Sequence, residues 1–234
     1  MKSDRKTLLK RAIVTIFDRL RQAERDHNRT TGSVALLAVS KHFPVTDIRI
    51  AYKLGLHNFG ENYANELYEK ALQLNDLPHM IWHFIGPIQS NKIKIIAQHA
   101  TWVHSVASLK HAQQLGKKRC TYLLEPLQIC VQVNISGEAK KSGVAPHEVG
   151  RLLAAVSQIE GLTLRGLMCI AQQTDDTSLI AEQFKKMSIL FLSLQKNYSQ
   201  MDTLSMGMSS DLSFAVASGA NLVRIGSALF GERS

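Results

Sequence analysis

No stretch of these 234 residues approaches the apolar length needed to span a bilayer. The opening Met1-Lys2-Ser3-Asp4-Arg5-Lys6 leads into an amphipathic pattern and not into the apolar core of a signal peptide. Neither a membrane partner nor export is expected. Cysteine is scarce: Cys120, Cys130 and Cys169 show no CxxC spacing, so no disulfide framework is indicated, and no His/Cys/Asp cluster has metal-ligand spacing. Cys130 and Cys169 lie inside strand-like runs and read as buried, inert thiols. The compartment this implies is a reducing cytosol, and the protein is expected to be cytoplasmic. Acidic residues are in deficit, 19 against 28 Lys and Arg, giving a formal charge of +9. Such an excess marks some nucleic-acid binders. Here the basic residues are spread through Lys2–Arg29, Lys92–Lys94, Lys117–Arg119 and Lys140–Lys141, with no aromatic interleaving and no recognisable module. No nucleic-acid partner is expected, and a basic surface equally attracts anionic small molecules.

What the chain does contain is a regular alternation. Hydrophobic residues make up 45%, enough for a full core. Leu8, Leu9, Ala12, Ile13, Ile16, Phe17 and Leu20 form a helical stripe within residues 4–27. After it come strand patterns at 34–40, 57–60, 81–85, 102–106, 128–134, 163–170, 203–207 and 222–226. Helical patterns lie between them, at about 45–55, 61–75, 89–98, 108–118, 146–159, 176–197 and 210–219. Each crossover is long enough for a parallel connection. No linker, low-complexity tract or composition shift divides the chain. No glycine-rich G-x-G-x-x-G turn follows the first strand, which weighs against a dinucleotide-binding sheet. The expected architecture is α/β: one (β/α)8 barrel spanning 1–234, with residues 1–30 as an extra N-terminal helix packed on it. An open doubly wound sheet is the alternative, and eight strands favour the barrel.

In such a barrel, function lies at the C-terminal ends of the strands. The first ends in Val39-Ser40-Lys41. An amine on the rim of a sheet, beside apolar walls, is disfavoured as ammonium and becomes a nucleophile toward an aldehyde; a lysine that snorkels to water is the ordinary alternative. The seventh and eighth strands end in Met208-Ser209-Ser210-Asp211 and Gly226-Ser227. A serine capping the next helix, with free N–H groups of its first turn, would make a phosphate cradle; plain capping is the alternative. Two such turns side by side favour the phosphate. Arg224 lies in a run otherwise made for burial, Asn221-Leu222-Val223-Arg224-Ile225-Gly226. It must be paired with an acid or bonded to a ligand. An aldehyde-reactive lysine, a phosphate cradle and a fixed cation for a ring nitrogen together describe pyridoxal 5′-phosphate (PLP). A guanidinium cannot take up the proton a pyridine nitrogen would share with a carboxylate. The nitrogen then stays neutral and the ring is a weak electron sink, which argues against transamination.

Eight segments carry a resemblance that covers nearly the whole chain in order: Ala38–Lys41, Asn58–Tyr63, Trp82–Lys92, Val131–Ser136, Lys141–Gly143, Gly166–Met168, Leu204–Ser209 and Val223–Gly226. By these the chain resembles the pyridoxal phosphate homeostasis protein family. The resemblance implies a barrel like the N-terminal domain of alanine racemase, with PLP held as a Schiff base on Lys41. It implies the phosphate at Ser209, Ser210, Gly226 and Ser227, Arg224 facing the ring nitrogen, and Asn62 near the ring. With Met206 at the seventh strand end, these residues are the expected cofactor-binding set; no catalytic residue and no metal are assigned. One departure is Gly166-Leu167-Met168-Cys169-Ile170-Ala171-Gln172, where relatives often carry a proline, and it bears on the shape of the sixth loop.

Two functions remain in view. One is a carrier or buffer in PLP homeostasis, with apo-forms of PLP-dependent enzymes as partners and no turnover of its own. The other is an amino-acid racemase. A two-base racemase needs an acid–base group on each face of the substrate carbon, and in alanine racemase the second comes from a partner subunit's additional β domain. This chain stops at Ser234, eight residues after Gly226, so no such domain is expected and a monomer is adequate. Binding is therefore favoured over catalysis. His83 and His104 are read as strand-end residues that are either acid–base groups or satisfied structural histidines. Lys140 and Lys141 are either a second cofactor contact or a solvated loop.

Overall fold

A computed structural model of the chain describes residues 4–138 and 141–232. In chain order its elements are α1 (Arg5–Asp26), β1 (Ala35–Val39), α2 (Val45–Lys53), β2 (Asn58–Glu61), α3 (Ala64–Gln73), β3 (Ile81–Phe84), α4 (Ile93–His99), β4 (Trp102–Val106), α5 (Leu109–Thr121), β5 (Leu127–Val133), α6 (Val149–Val156), β6 (Leu162–Cys169), α7 (Thr177–Gln195), β7 (Thr203–Ser205), α8 (Leu212–Ala217), β8 (Leu222–Ile225) and α9 (Ser227–Phe230). Every strand pairs in parallel with its sequence neighbours, and β8 returns to β1, so the sheet closes into a barrel. The expected (β/α)8 architecture is what the chain forms. Among the described residues, no helix is long and apolar enough to cross a membrane.

The strands are continuous apolar runs because both of their faces are covered. In β5 all residues but Gln128 are buried, and in β1 all but Ala35. The outer faces pack against the helix ring, with Phe59, Phe84, Phe184 and Phe230 among the largest fully buried side chains. The β1–β8 register pairs Leu37 with Arg224 and Ala38 with Ile225. It thereby brings the ends carrying Lys41 and Gly226 to neighbouring points on one rim.

α1 stands outside the β/α repeat. Leu9, Ile13, Ile16, Leu20 and Ala23 recur at three and four residues and are all buried. The stripe packs against α2, α8 and α9. Polar anchors fix its ends. Arg5 pairs with Asp47 and donates to the Phe230 carbonyl at 2.8 Å. Buried Glu24 accepts from the Gly32 and Val34 N–H groups at 2.9 and 2.8 Å, tying α1 to the entry of β1.

Four helix starts depart from the sequence patterns by two residues or more. The helix expected from 61 starts at Ala64, because Tyr63 stays extended (φ −118°, ψ 124°). The patterns at 89–98 and 146–159 open with 3-10 turns at Ser90–Lys92 and Pro146–Glu148. The helix expected at 210–219 is Leu212–Ala217, with Asp211 at its N-cap. The serine cap expected there is not formed. Asp211 Oδ1 instead accepts from the Met208 N–H, and this holds Ser209 and Ser210 in a turn ahead of the helix. α9 was not legible as a helix, since four residues carry no periodicity.

Candidate functional site

A cavity of about 380 Å³ opens at the C-terminal rim of the barrel. Its wall holds Lys41 after β1, Asn62 after β2, Ser209 and Ser210 after β7, Arg224 within β8, and Gly226 and Ser227 after it. Seven of the eight residues expected to hold the cofactor therefore meet in one hollow. Val39, Ile85, Met168, Ile170 and Met208 supply its apolar surface. Met206 is the exception. It belongs to the hydrophobic core, fully buried, and it does not line the cavity. Strand alternation explains this: Ser205 turns toward the barrel axis, so Met206 turns away. Beyond β7 the chain turns at Gly207 (φ 95°), and Met208 reaches the wall in its place.

Arg224 is buried and makes two hydrogen bonds of 2.8 Å, from Nη1 to Ser205 Oγ and from Nη2 to the Cys169 carbonyl. No salt bridge to Arg224 occurs among the described residues, so the ion-pair alternative is not what the structure shows. Burial lowers the guanidinium pKa from its ordinary value, while Cys169, Asp211 and Cys130 work in the opposite sense. Asn62 carries a buried Oδ1 with no hydrogen-bond partner among the described residues. A cation without a carboxylate and an acceptor without a donor, on one wall, are groups that wait for a ligand.

His83 and His104 do not reach the cavity. They are the third residues of β3 and β4, almost fully buried inside the barrel. His83 Nδ1 lies 2.9 Å from His104 Nε2, His83 Nε2 lies 3.0 Å from Asn58 Oδ1, and His104 Nδ1 lies 3.2 Å from Ser205 Oγ. Burial pushes His83 down to about 3. It also pushes His104 well below its ordinary value, with further lowering from His83 and Arg224. Both are neutral, satisfied histidines one layer beneath the cavity. Below them the Trp102 ring stacks on His83, with centroids 5.6 Å apart, and the Arg165 guanidinium lies 4.9 Å from the Trp102 centroid.

Lys41 is held in place by residues the sequence reading did not single out. Lys70 of α3, itself buried, donates to the Ser40 carbonyl at 2.9 Å, to Glu61 Oε1 at 2.9 Å and to Glu66 Oε2 at 2.8 Å. Glu66 Oε2 also accepts from the His42 N–H at 2.8 Å, and Ser40 Oγ donates to Glu61 Oε1 at 2.6 Å. The peptide groups on both sides of Lys41 are thus clamped from α3, and His42 takes a positive φ of 67°. Burial raises Glu61 to about 7, against the lowering effect of Lys70. Burial also works to raise Glu66, but hydrogen bonds from Lys70 and the His42 N–H outweigh it and hold Glu66 below its ordinary value. The signal for Lys70 was available: it shares the buried face of α3 with Leu67, and a lysine on such a face needs partners.

A second hollow, of about 270 Å³, shares Asn62, Ile85 and Ile170 with the first and extends to Asn134 and Lys141. Lys141 pairs with Glu138 and donates to the Ala171 carbonyl at 3.3 Å. Lys140 lies outside the described residues.

Comparison with known proteins shows the family of the chain. The family described as alanine racemase, N-terminal domain, matches residues 17–234. The pyridoxal phosphate homeostasis protein of Pseudomonas aeruginosa is 48% identical over 221 residues, 94% of either chain. That of Escherichia coli K12 is 39% identical over 94% of this chain and 95% of its own. Among solved structures, PipY of Synechococcus elongatus with PLP bound is 33% identical with a TM-score of 0.79, over 91% of this chain and all of that one. With curated relatives this similar along almost their full length, the chain belongs to the pyridoxal phosphate homeostasis protein family, within the alanine racemase N-terminal domain group.

Proposed function

We propose that the chain holds PLP in the rim cavity, as a Schiff base on Lys41, and serves as an intracellular carrier or buffer of that cofactor without turnover of its own. The observation that carries this reading is the meeting of Lys41, the acid-free Arg224 and the seryl turns of β7 and β8 in one cavity. The chain's residues fit the group. The unpartnered Asn62 Oδ1 offers an acceptor near the ring, and apolar walls offer surface for its faces. Bound PLP supplies an electrophilic aldehyde and a pyridine ring that withdraws electrons in proportion to the charge on its nitrogen.

Each residue then has a defined task. Lys41 would hold the cofactor through its amine, which condenses with the aldehyde carbon and releases water, and hydrolysis would reverse the link. Ser209, Ser210 and Ser227 would donate to the phosphate, and Gly226 would let backbone approach it closely. Arg224 would donate to the ring nitrogen and, having no site that accepts a proton, would leave that nitrogen neutral. Lys70 and Glu66 hold the peptide groups beside Lys41, so the amine meets the cavity at a fixed angle.

The wall also bears on the racemase alternative. Among the described residues lining the cavity, Lys41 and Arg224 are the only titratable side chains. A two-base proton exchange needs an acid–base group opposite Lys41, and none lines this cavity among the described residues. The same reading takes the protein as a cytoplasmic monomer that supplies apo-enzymes by release or contact.

Absorbance spectroscopy tests the proposal. The protein loaded with PLP should show the visible band of a pyridoxal Schiff base, and borohydride should trap the cofactor on the chain. Lys41→Ala should lose both, and incubation with L- or D-alanine should give no racemisation. A Lys41→Ala protein that keeps a trappable band would place the link on another lysine. Racemisation by the parent protein would restore the enzymatic alternative.

A further inference from the structure

The interior of a (β/α)8 barrel is ordinarily filled by branched apolar side chains in layers. Here a polar chain runs through it, built from five different strands. Arg224 Nη1 donates to Ser205 Oγ at 2.8 Å, and that hydroxyl lies 3.2 Å from His104 Nδ1. His104 Nε2 lies 2.9 Å from His83 Nδ1, and His83 Nε2 lies 3.0 Å from Asn58 Oδ1.

Donor chemistry sets the direction. A guanidinium only donates, so Ser205 must accept from Arg224. The Ser205 hydrogen then points to His104 Nδ1, its one acceptor among the hydrogen bonds of the described residues. With Nδ1 accepting, a neutral His104 carries its proton on Nε2 and donates it to His83 Nδ1. His83 in turn carries its proton on Nε2, facing the Asn58 carbonyl oxygen. Every donor finds an acceptor. The reverse order would leave the Ser205 hydrogen without one in a buried site and would require the Asn58 amide to turn round.

We propose that Ser205, His104, His83 and Asn58 form a one-way hydrogen-bond relay that positions Arg224, locking both histidines as neutral Nε2–H tautomers. The relay gives the guanidinium an oriented hydroxyl acceptor where a carboxylate would neutralise it. It also keeps a second positive charge away, since neither imidazole has a free lone pair to protonate. With Nη2 held by the Cys169 carbonyl at 2.8 Å, two bonds fix the plane of the guanidinium and leave its remaining N–H groups for the cavity. These are positioning residues, and their purpose rests on the reading that Arg224 meets the PLP ring nitrogen. The tautomers are properties of the protein alone.

Long-range proton–nitrogen NMR of the imidazoles in the cofactor-free protein reads them directly. Assignment by single-histidine variants separates them from the other seven of the nine histidines. The expected result is an Nε2–H pattern for both His83 and His104, unchanged between pH 8 and pH 5. In Ser205→Ala, His104 loses its Nδ1 donor and its nitrogen shifts move. PLP affinity then falls by about tenfold, the scale of one hydrogen bond to a charged group. An Nδ1–H tautomer on either histidine, or titration of either in that range, overturns the relay. So does a Ser205→Ala protein with undisturbed shifts and parental affinity. Should that variant not fold, the tautomers of the parent still decide. A parent that binds no PLP overturns the cofactor reading and the purpose given to the relay, whereas wrong tautomers in a protein that does bind overturn the relay alone.

Discussion

Lys70 is the residue on which the geometry around Lys41 turns. Its ammonium satisfies three acceptors, two of them carboxylates, and one of these, Glu61, has its second oxygen buried without a partner. Removing one member of such a cluster exposes the others to the cost of burial without compensation, about 3–5 kcal/mol. Lys70→Met keeps most of the volume and removes the charge. It should destabilise the protein by about that amount in urea denaturation at pH 7.5. Adding Glu61→Gln should recover part of the loss, because the amide needs no counterion, and a double-mutant cycle measures the recovery. The same variant frees the Ser40 carbonyl, so PLP affinity should fall as well. Equal losses in Lys70→Met with and without Glu61→Gln would show that Glu61 carries no charge for Lys70 to balance.

α1 reaches the rim of the cavity although it lies outside the barrel repeat. Arg19 Nη2 donates to the Ser209 carbonyl at 2.8 Å, and Leu20, the next residue, is fully buried against the ring of helices. Leu20→Ala should cost about 2–5 kcal/mol in urea denaturation, the usual price of a core leucine. Arg19→Ala is exposed and should leave stability within about 0.5 kcal/mol, while loosening the turn proposed for the phosphate and weakening PLP binding. The strands and α1 were legible because burial on both faces, or on one helical stripe, leaves a pattern in residue type. β4 falls on 102–106 as read, and the other strands differ from their patterns by at most two residues at an end. Helix starts were less legible, since they depend on tertiary partners. Asp211 captures the Met208 N–H and delays α8, and nothing in Ser209-Ser210-Asp211 distinguishes that from a serine cap. Of the expected site, the strand-end residues assembled because sequence locates strand ends well. Met206 is buried in the core and does not line the cavity. His83 and His104 were set at the rim because alternation tells which face a side chain takes and not how deep it lies.

A barrel with two neutral histidines on its axis must lose stability in acid, and the sign follows from where the protons go. Unfolded, His83 and His104 take up protons near their ordinary value of 6.5; folded, burial holds His83 at about 3 and His104 well below 6.5. Below pH 6.5 the unfolded chain therefore binds more protons than the native one, and stability falls as pH falls. By this linkage His83 loses about 2 kcal/mol between pH 7.5 and pH 5, and His104 loses in the same direction. Glu61 works the other way. Its carboxyl is raised from an ordinary 4.5 to about 7, so in that window the native state binds the extra proton and gains on acidification, by about 2 kcal/mol. Burial lowers His99 as well, which adds to the loss in acid, while the carboxylates held below their ordinary range, Glu24, Glu66, Asp76, Glu138 and Asp202, act mainly below pH 4.5. The parent protein should thus lose stability between pH 7.5 and pH 5, and Glu61→Gln should lose about 2 kcal/mol more over the same range. Urea unfolding at the two pH values measures both. A Glu61→Gln protein whose loss equals the parent's would show that Glu61 does not titrate there, and a parent whose stability is flat from pH 7.5 to pH 5 while Glu61→Gln is also flat would remove the two histidines from the argument.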